Sequence, residues 1–246
     1  MPAPARRWTP TLLALLALAL SGCAQQLPLS DEQLARVRDR AQAIMPISTP
    51  TSFGTSFFVT PEWALTAAHV VDDAPRGARI SVELGDTGEE LPLSLALPPG
   101  AENPDRLGVD DWAVLYRHAS SDIPFLHTPI NPSLAPTPGQ DVFAVGLSGF
   151  DEQGDERRGR AMRLRVTHAP LSQDHSPDLI WMRWPYRFAP HGFSGGPLFA
   201  EDADGELVAV GVIIHVYYRG WTWWLVARRI SDEMVRFAED HSAGSE

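Results

Sequence analysis

Between Phe53 and Val226 this chain is a succession of short β-type runs, each ended by turn residues. The runs fall at residues 56–59, 63–66, 80–84, 91–97 and 112–116. They resume at 141–145, 161–167, 179–182, 198–199, 207–215 and 222–226. Runs of this length, rich in β-branched and aromatic residues, read as strands. Between the two sets, residues 128–139 hold Pro129, Pro132, Pro136 and Pro138, which makes this stretch a crossing segment rather than an element. With 22 prolines and 19 glycines in 246 residues, the chain suits many short strands joined by turns better than a helical bundle. A turn is expected at 85–88, and Asp204-Gly205 is a hairpin signal. Helix signals occur at two places. Ser30 and Gln33 form a capping box ahead of Leu34, Val37, Ala41 and Ile44, which predicts a helix over about 31–43. Ser231, followed by Asp232 and Glu233, caps a second helix at about 231–240. Residues 45–52, interrupted by Pro46 and Pro50, read as a connector.

Composition limits the functions open to such a chain. Its net charge of −11, from 20 Lys and Arg against 31 Asp and Glu, argues against nucleic acid, whose binding needs a basic footprint. The N-terminus stands apart from the fold. Arg6 and Arg7 precede an apolar run over 11–20, followed by Ser21-Gly22-Cys23. The run is too short to span a bilayer comfortably and has the layout of a secretory signal. Leu20-Ser21-Gly22-Cys23 resembles a bacterial lipoprotein signal, which implies removal of 1–22 and acylation of Cys23. Ala24 follows where an Asp often marks inner-membrane retention, so the resemblance implies anchorage at the periplasmic face of the outer membrane. Cys23 is the only cysteine, so no disulfide is expected, and no Cys/His cluster calls for a metal or other cofactor.

Three short strings carry candidate chemistry. Thr66-Ala67-Ala68-His69 ends a predicted strand, and Asp110-Asp111 precedes the apolar run Trp112-Ala113-Val114-Leu115. The third, Gly192-Phe193-Ser194-Gly195-Gly196-Pro197-Leu198, sets a serine among glycines. Glycine permits sharp turns and close backbone approach. Such a loop can hold a serine outward, with N–H groups free to bind an oxyanion. A serine hydroxyl needs an adjacent base near neutral pH, and that base needs a carboxylate to fix its tautomer. On the residues alone either aspartate can serve. The serine loop also satisfies the G-x-S-x-G elbow of α/β-hydrolases. That fold needs the order Ser, Asp, His, and only the 52 residues 195–246 follow Ser194, too few for the elements it places there.

In the order His, Asp, Ser, the strings T-A-A-H, D-x-A-V-L and G-x-S-G-G-P-L resemble the chymotrypsin/trypsin-like serine peptidases. Within the family the resemblance is to the bacterial, HtrA-like or glutamyl-endopeptidase-like branch, and it runs over about residues 53–240. It implies an all-β fold of two six-stranded antiparallel β-barrels with a C-terminal α-helix. Barrel 1 would span about 53–127 and barrel 2 about 139–228, with 23–52 as lipidated N-terminus, spacer helix and connector. It also implies His69 as general base, Asp111 as its orienting partner and Ser194 as nucleophile. The N–H groups of Gly192 and Ser194 would form the oxyanion hole. Proteins or peptides would be the substrates, with no cofactor.

Departures from the family pattern bear on mechanism. Phe193 stands where zymogen-activated members carry an acidic residue that pairs with a newly cut N-terminus. This site is therefore expected to form without cleavage. Phe188, six residues before Ser194, takes the place of the pocket base and offers no carboxylate to Lys or Arg, so small or apolar side chains are expected. The resemblance implies that His191 and His215 flank the cleft, and since glutamyl-specific relatives use a histidine nearby, a preference for acidic side chains is the alternative. Ile214 and Val216 replace smaller residues where substrate backbone adds as a strand, and are expected to narrow the cleft. Trp221, Trp223 and Trp224 read as a core-packing hairpin. A second function stays open, that of a lipid-anchored binding or scaffolding protein on a peptidase fold.

Overall fold

The computed structural model describes residues 29–41, 43–49, 51–74, 79–84, 89–99, 101, 109–117, 127–148, 158–169, 176–185, 190–219 and 221–242. The signal segment 1–22, Cys23, the turn at 85–88 and Phe188 lie outside them. Strands β1 (Ile44–Ser48), β2 (Phe53–Phe58), β3 (Trp63–Thr66), β4 (Arg79–Leu84), β5 (Glu89–Ala96) and β6 (Ala113–Arg117) close barrel 1 in the order β1-β2-β3-β6-β5-β4. Strands β7 (Asp141–Ser148), β8 (Arg158–Thr167), β9 (Leu179–Trp184), β10 (Pro197–Glu201), β11 (Leu207–Arg219) and β12 (Thr222–Arg229) close barrel 2 in the order β10-β11-β12-β9-β8-β7. Neighbouring strands run antiparallel in both. The crossing segment bridges Ile130 to Ala209 and is tied to β2 and β8 by Thr128 N–H to Phe58 O at 2.8 Å and Gly139 N–H to Val166 O at 2.9 Å.

One boundary needs correction. Residues 44–48, expected to fall in the linker ahead of the barrels, form β1, which pairs with β2 along its whole length and with β4 at Ile47↔Val82. Pro46 in that strand hides it from a sequence reading, because proline has no N–H for a ladder. The position tolerates it. Pro46 faces Thr55, whose own N–H turns away from β1 to donate to Ser194 O at 2.8 Å.

Period-2 alternation divides the core. In β7, Val142 and Ala144 point into barrel 2, while Phe143 and Val145 join a cluster continuous with the interior of barrel 1. In β11 the alternation shifts at the irregularity opposite Leu198 and Phe199: Val208 and Val210 before it and Ile213 after it point into barrel 2, while Val212 and Ile214 join the shared cluster. Each such side chain contributes about 1.5–3 kcal/mol by leaving water, so the face shared by the barrels is an apolar core in its own right.

Two helices strap the barrels together. α1 (Asp31–Ala41) begins on the expected capping box, with Gln33 N donating to Ser30 Oγ and Ser30 N to Gln33 Oε1, both at 3.1 Å. It buries Val37 and sets Arg36 and Arg40 against Glu201 and Glu206 of the β10–β11 turn, at 2.9 and 3.2 Å. α2 (Asp232–Ser242) starts at Ser231, whose Oγ accepts from Met234 N at 3.4 Å. It crosses back to barrel 1, where Phe237 meets Trp112 edge-on at 5.3 Å and Tyr116 OH donates to Ala238 O at 3.0 Å. The β11–β12 hairpin departs from the core-packing expectation: Trp223 and Trp224 are half-buried, but Trp221 at its tip is 94% exposed. Among the described residues no helix is long and apolar enough to cross a membrane.

Candidate active site

β3 ends at Thr66, and the chain then makes a single 3-10 turn over Ala68–Val70. Ala67, Ala68, Val70 and Val71 are buried, so the turn is pinned from both sides while His69 stays partly open. Asp111 lies just before β6. Its Oδ1 accepts from the His69 backbone N–H at 2.9 Å, and its Oδ2 lies 2.8 Å from His69 Nδ1. A carboxylate only accepts, so Nδ1 carries the proton and Nε2 presents a lone pair. Burial works against charging His69, but the hydrogen bond and charge of Asp111, with the charge of Asp72, raise its pKa above the ordinary value.

The loop bearing Asp111 is held from both directions. Trp112, the next residue, is buried under α2. On the other side Arg228 of β12, itself buried, donates Nε–H to Val109 O at 2.7 Å and pairs with Asp178 at 3.1 Å. A carboxylate from barrel 1 is thereby indexed to barrel 2.

The serine loop precedes β10. Gly192 and Gly195 both sit at φ 83, a region costly for residues with a Cβ. A Cβ on Gly195 would also collide with Thr55 O and Thr66 Oγ1. Phe193 turns inward and is buried, its ring edge-on to Trp184 at 5.3 Å. The loop lies directly on the histidine turn. A Cβ built on Gly54 would be 2.7 Å from both Ser194 O and Val70 Cγ2. Among the described residues the backbone N–H groups of Gly192 and Ser194 have no acceptor, as an oxyanion site requires. Ser194 Oγ has no hydrogen bond to His69, a contact that in unliganded sites commonly tightens only with substrate.

A family model of the trypsin-like peptidase domain matches residues 54–210. The chain belongs to that family. Its fold is similar to solved structures of low identity. An inactive form of the Rv3671c protease aligns at 19% identity and TM-score 0.56, over 87% of this chain and 98% of that one. A mutant of the same protease from M. tuberculosis H37Rv, also in an inactive form, aligns at 17% identity and TM-score 0.56, over 90% and 97%. A Glu endopeptidase in complex with MPD aligns at 20% identity and TM-score 0.62, over 82% and 91%. No curated protein sequence matches. Membership of a trypsin-like peptidase family implies protein or peptide substrates.

In this chain the residues expected to line the cleft separate into different environments. His191 is exposed. His215 is half-buried, and burial followed by repulsion from His69 lowers its pKa, with Asp111 opposing. Ile214 does not narrow a cleft: it is 1% exposed, its side chain spent in the inter-barrel core. A bulge between Ile213 and His215 resets the alternation there. Val216 packs on the core of barrel 2. Two residues that touch the site's frame, Thr55 and Arg228, carry no motif. Their partners lie 137 and 119 positions away, so no local string announces them.

Proposed function

We propose that this chain is a serine endopeptidase using His69, Asp111 and Ser194. Ser194 Oγ attacks the scissile carbonyl carbon as His69 Nε2 takes its proton, and the resulting oxyanion is held by the N–H groups of Gly192 and Ser194. His69 returns the proton to the departing amine, the C–N bond breaks, and an acyl ester stays on Ser194. Water then attacks the acyl carbon as His69 takes its proton, the ester bond to Ser194 Oγ breaks, His69 returns the proton to Oγ, and the carboxylic acid product leaves. One observation carries this reading: a serine loop with two N–H donors that have no acceptor among the described residues packs against the turn of a histidine paired to a carboxylate at 2.8 Å.

The preference we assign is for small or apolar side chains. The lowered pKa of His215 supports it, since an uncharged imidazole at neutral pH gives an acidic side chain no cation. We further assign anchorage at the periplasmic face of the outer membrane through acylated Cys23, on the strength of Leu20-Ser21-Gly22-Cys23 and Ala24. A Cys23→Ser protein should then leave the membrane fraction. The missing Ser194–His69 hydrogen bond favours a second reading, a peptidase-fold binding protein without turnover. Rapid mixing with an activated peptide ester separates the two. A product burst equal to the enzyme concentration, abolished in Ser194→Ala, supports the enzyme. Folded wild type without a burst supports the binding protein. Hydrolysis of a Lys/Arg or Glu library ahead of an Ala/Val/Leu library would overturn the assigned preference.

A further inference from the structure

Thr55 is wholly buried where the barrels meet, and four polar contacts converge on it. Its N–H donates to Ser194 O at 2.8 Å, and its carbonyl accepts from Thr66 Oγ1 at 2.8 Å, on the strand leading to His69. Its hydroxyl accepts from Leu147 N of β7 at 3.0 Å and donates to Gly192 O at 2.6 Å. The direction of that last bond is forced: the Leu147 N–H can only donate, so the single hydroxyl proton of Thr55 is left for the Gly192 carbonyl.

We propose that Thr55 is a positioning residue of the oxyanion site: its hydroxyl holds the Gly192–Phe193 peptide plane and its N–H the Ser194–Gly195 plane, the two planes that flank the one carrying the Ser194 N–H. A residue's carbonyl shares its plane with the next residue's N–H, so the Ser194 N–H, in the Phe193–Ser194 plane, is bracketed by the two planes that Thr55 holds. Peptide planarity means that fixing a carbonyl fixes its plane. Gly192, at φ 83 and without a Cβ, otherwise allows cheap rotation of the planes on either side. The hydroxyl holds the plane that follows Gly192 before substrate arrives, which is where electrostatic stabilisation of an oxyanion gains its effect.

This inference rests on the endopeptidase reading and deepens it. The test compares Thr55→Val, which keeps the shape and loses the hydroxyl, with Thr55→Ser, which keeps the hydroxyl. Both are assayed on a peptide ester at a temperature where each is fully folded. In Thr55→Val, kcat is expected to fall by up to about 10²-fold, as for a small misplacement of catalytic groups. KM should stay within a factor of about two, because the lost contact acts mainly in the transition state. Thr55→Ser should recover most of the rate. A merely structural role would lower the melting temperature and leave kcat per folded molecule unchanged, and that result overturns the proposal. So does a Thr55→Ser protein as slow as Thr55→Val. If Thr55→Val does not fold, Thr55→Cys carries the same comparison, its weak S–H donor giving an intermediate kcat. Inert wild type defeats the endopeptidase reading and this proposal together, whereas active wild type with an undiminished Thr55→Val defeats this proposal alone.

Discussion

At the scale of single residues, Phe193 packs the candidate site and His69 sets the pH range in which the proposed reaction should run. Phe193 is 1% exposed, and its packing on Gly146 is close enough that a Cβ there would fall 2.6 Å from Phe193 Cγ. Apolar burial thus anchors the loop at the position where zymogen-activated members of the family carry an acidic residue. Phe193→Ala should cost about 3–5 kcal/mol in a chemical denaturation curve and reduce the burst amplitude as well. His69 gives a pH signature. Its raised pKa places the acid limb of kcat/KM above the ordinary 6.5, because the base must be neutral. The sign for stability is opposite. The His69–Asp111 interaction contributes fully below the unfolded pKa and is lost as pH rises through the raised folded value. Asp111→Asn should bring the limb down in a pH–rate profile and cut kcat by about 10⁴-fold, the magnitude found for this change in the same family.

At the scale of elements, α1 is held by apolar burial far more than by its ion pairs. The Arg36–Glu201 and Arg40–Glu206 pairs are solvent-exposed, with side chains up to 66% accessible. Exposed pairs are worth about 0–1 kcal/mol each. Arg36→Ala with Arg40→Ala should therefore shift the denaturation midpoint little, while Val37→Asp, at 1% exposure, should shift it strongly. The same contrast between local and distant information explains what could be read from the sequence. His69, Asp111 and Ser194 each lie within a contiguous string, so motif order alone nominated them. Asp111 over Asp110 needed the pattern of the following strand, and the 2.8 Å contact to His69 is with Asp111. β1 was illegible because Pro46 breaks a strand pattern, and only Thr55 turning its N–H to Ser194 makes that proline harmless. Ile214 was misplaced because the bulge at Ile213/His215 breaks the strict alternation that a linear reading assumes.

At the scale of the whole molecule, the active-site frame is an inter-barrel structure. His69 and Asp111 come from barrel 1 and Ser194 from barrel 2. Thr55, Arg228 and the shared apolar cluster set one barrel against the other. Since that cluster runs without a break from Leu65 and Val114 to Val212 and Val226, the barrels should not melt separately. Calorimetry should show one cooperative transition, and two resolved transitions would contradict this. The central claim is that His69 and Ser194, brought together by that packing, form a working nucleophile. A fluorophosphonate added to the folded protein tests it most directly, read by intact mass and by peptide mapping. One adduct on Ser194 in wild type, absent in Ser194→Ala and at least a thousandfold slower in His69→Ala, is the predicted result. Folded wild type that takes up no adduct, or a His69→Ala protein labelled as fast as wild type, contradicts it.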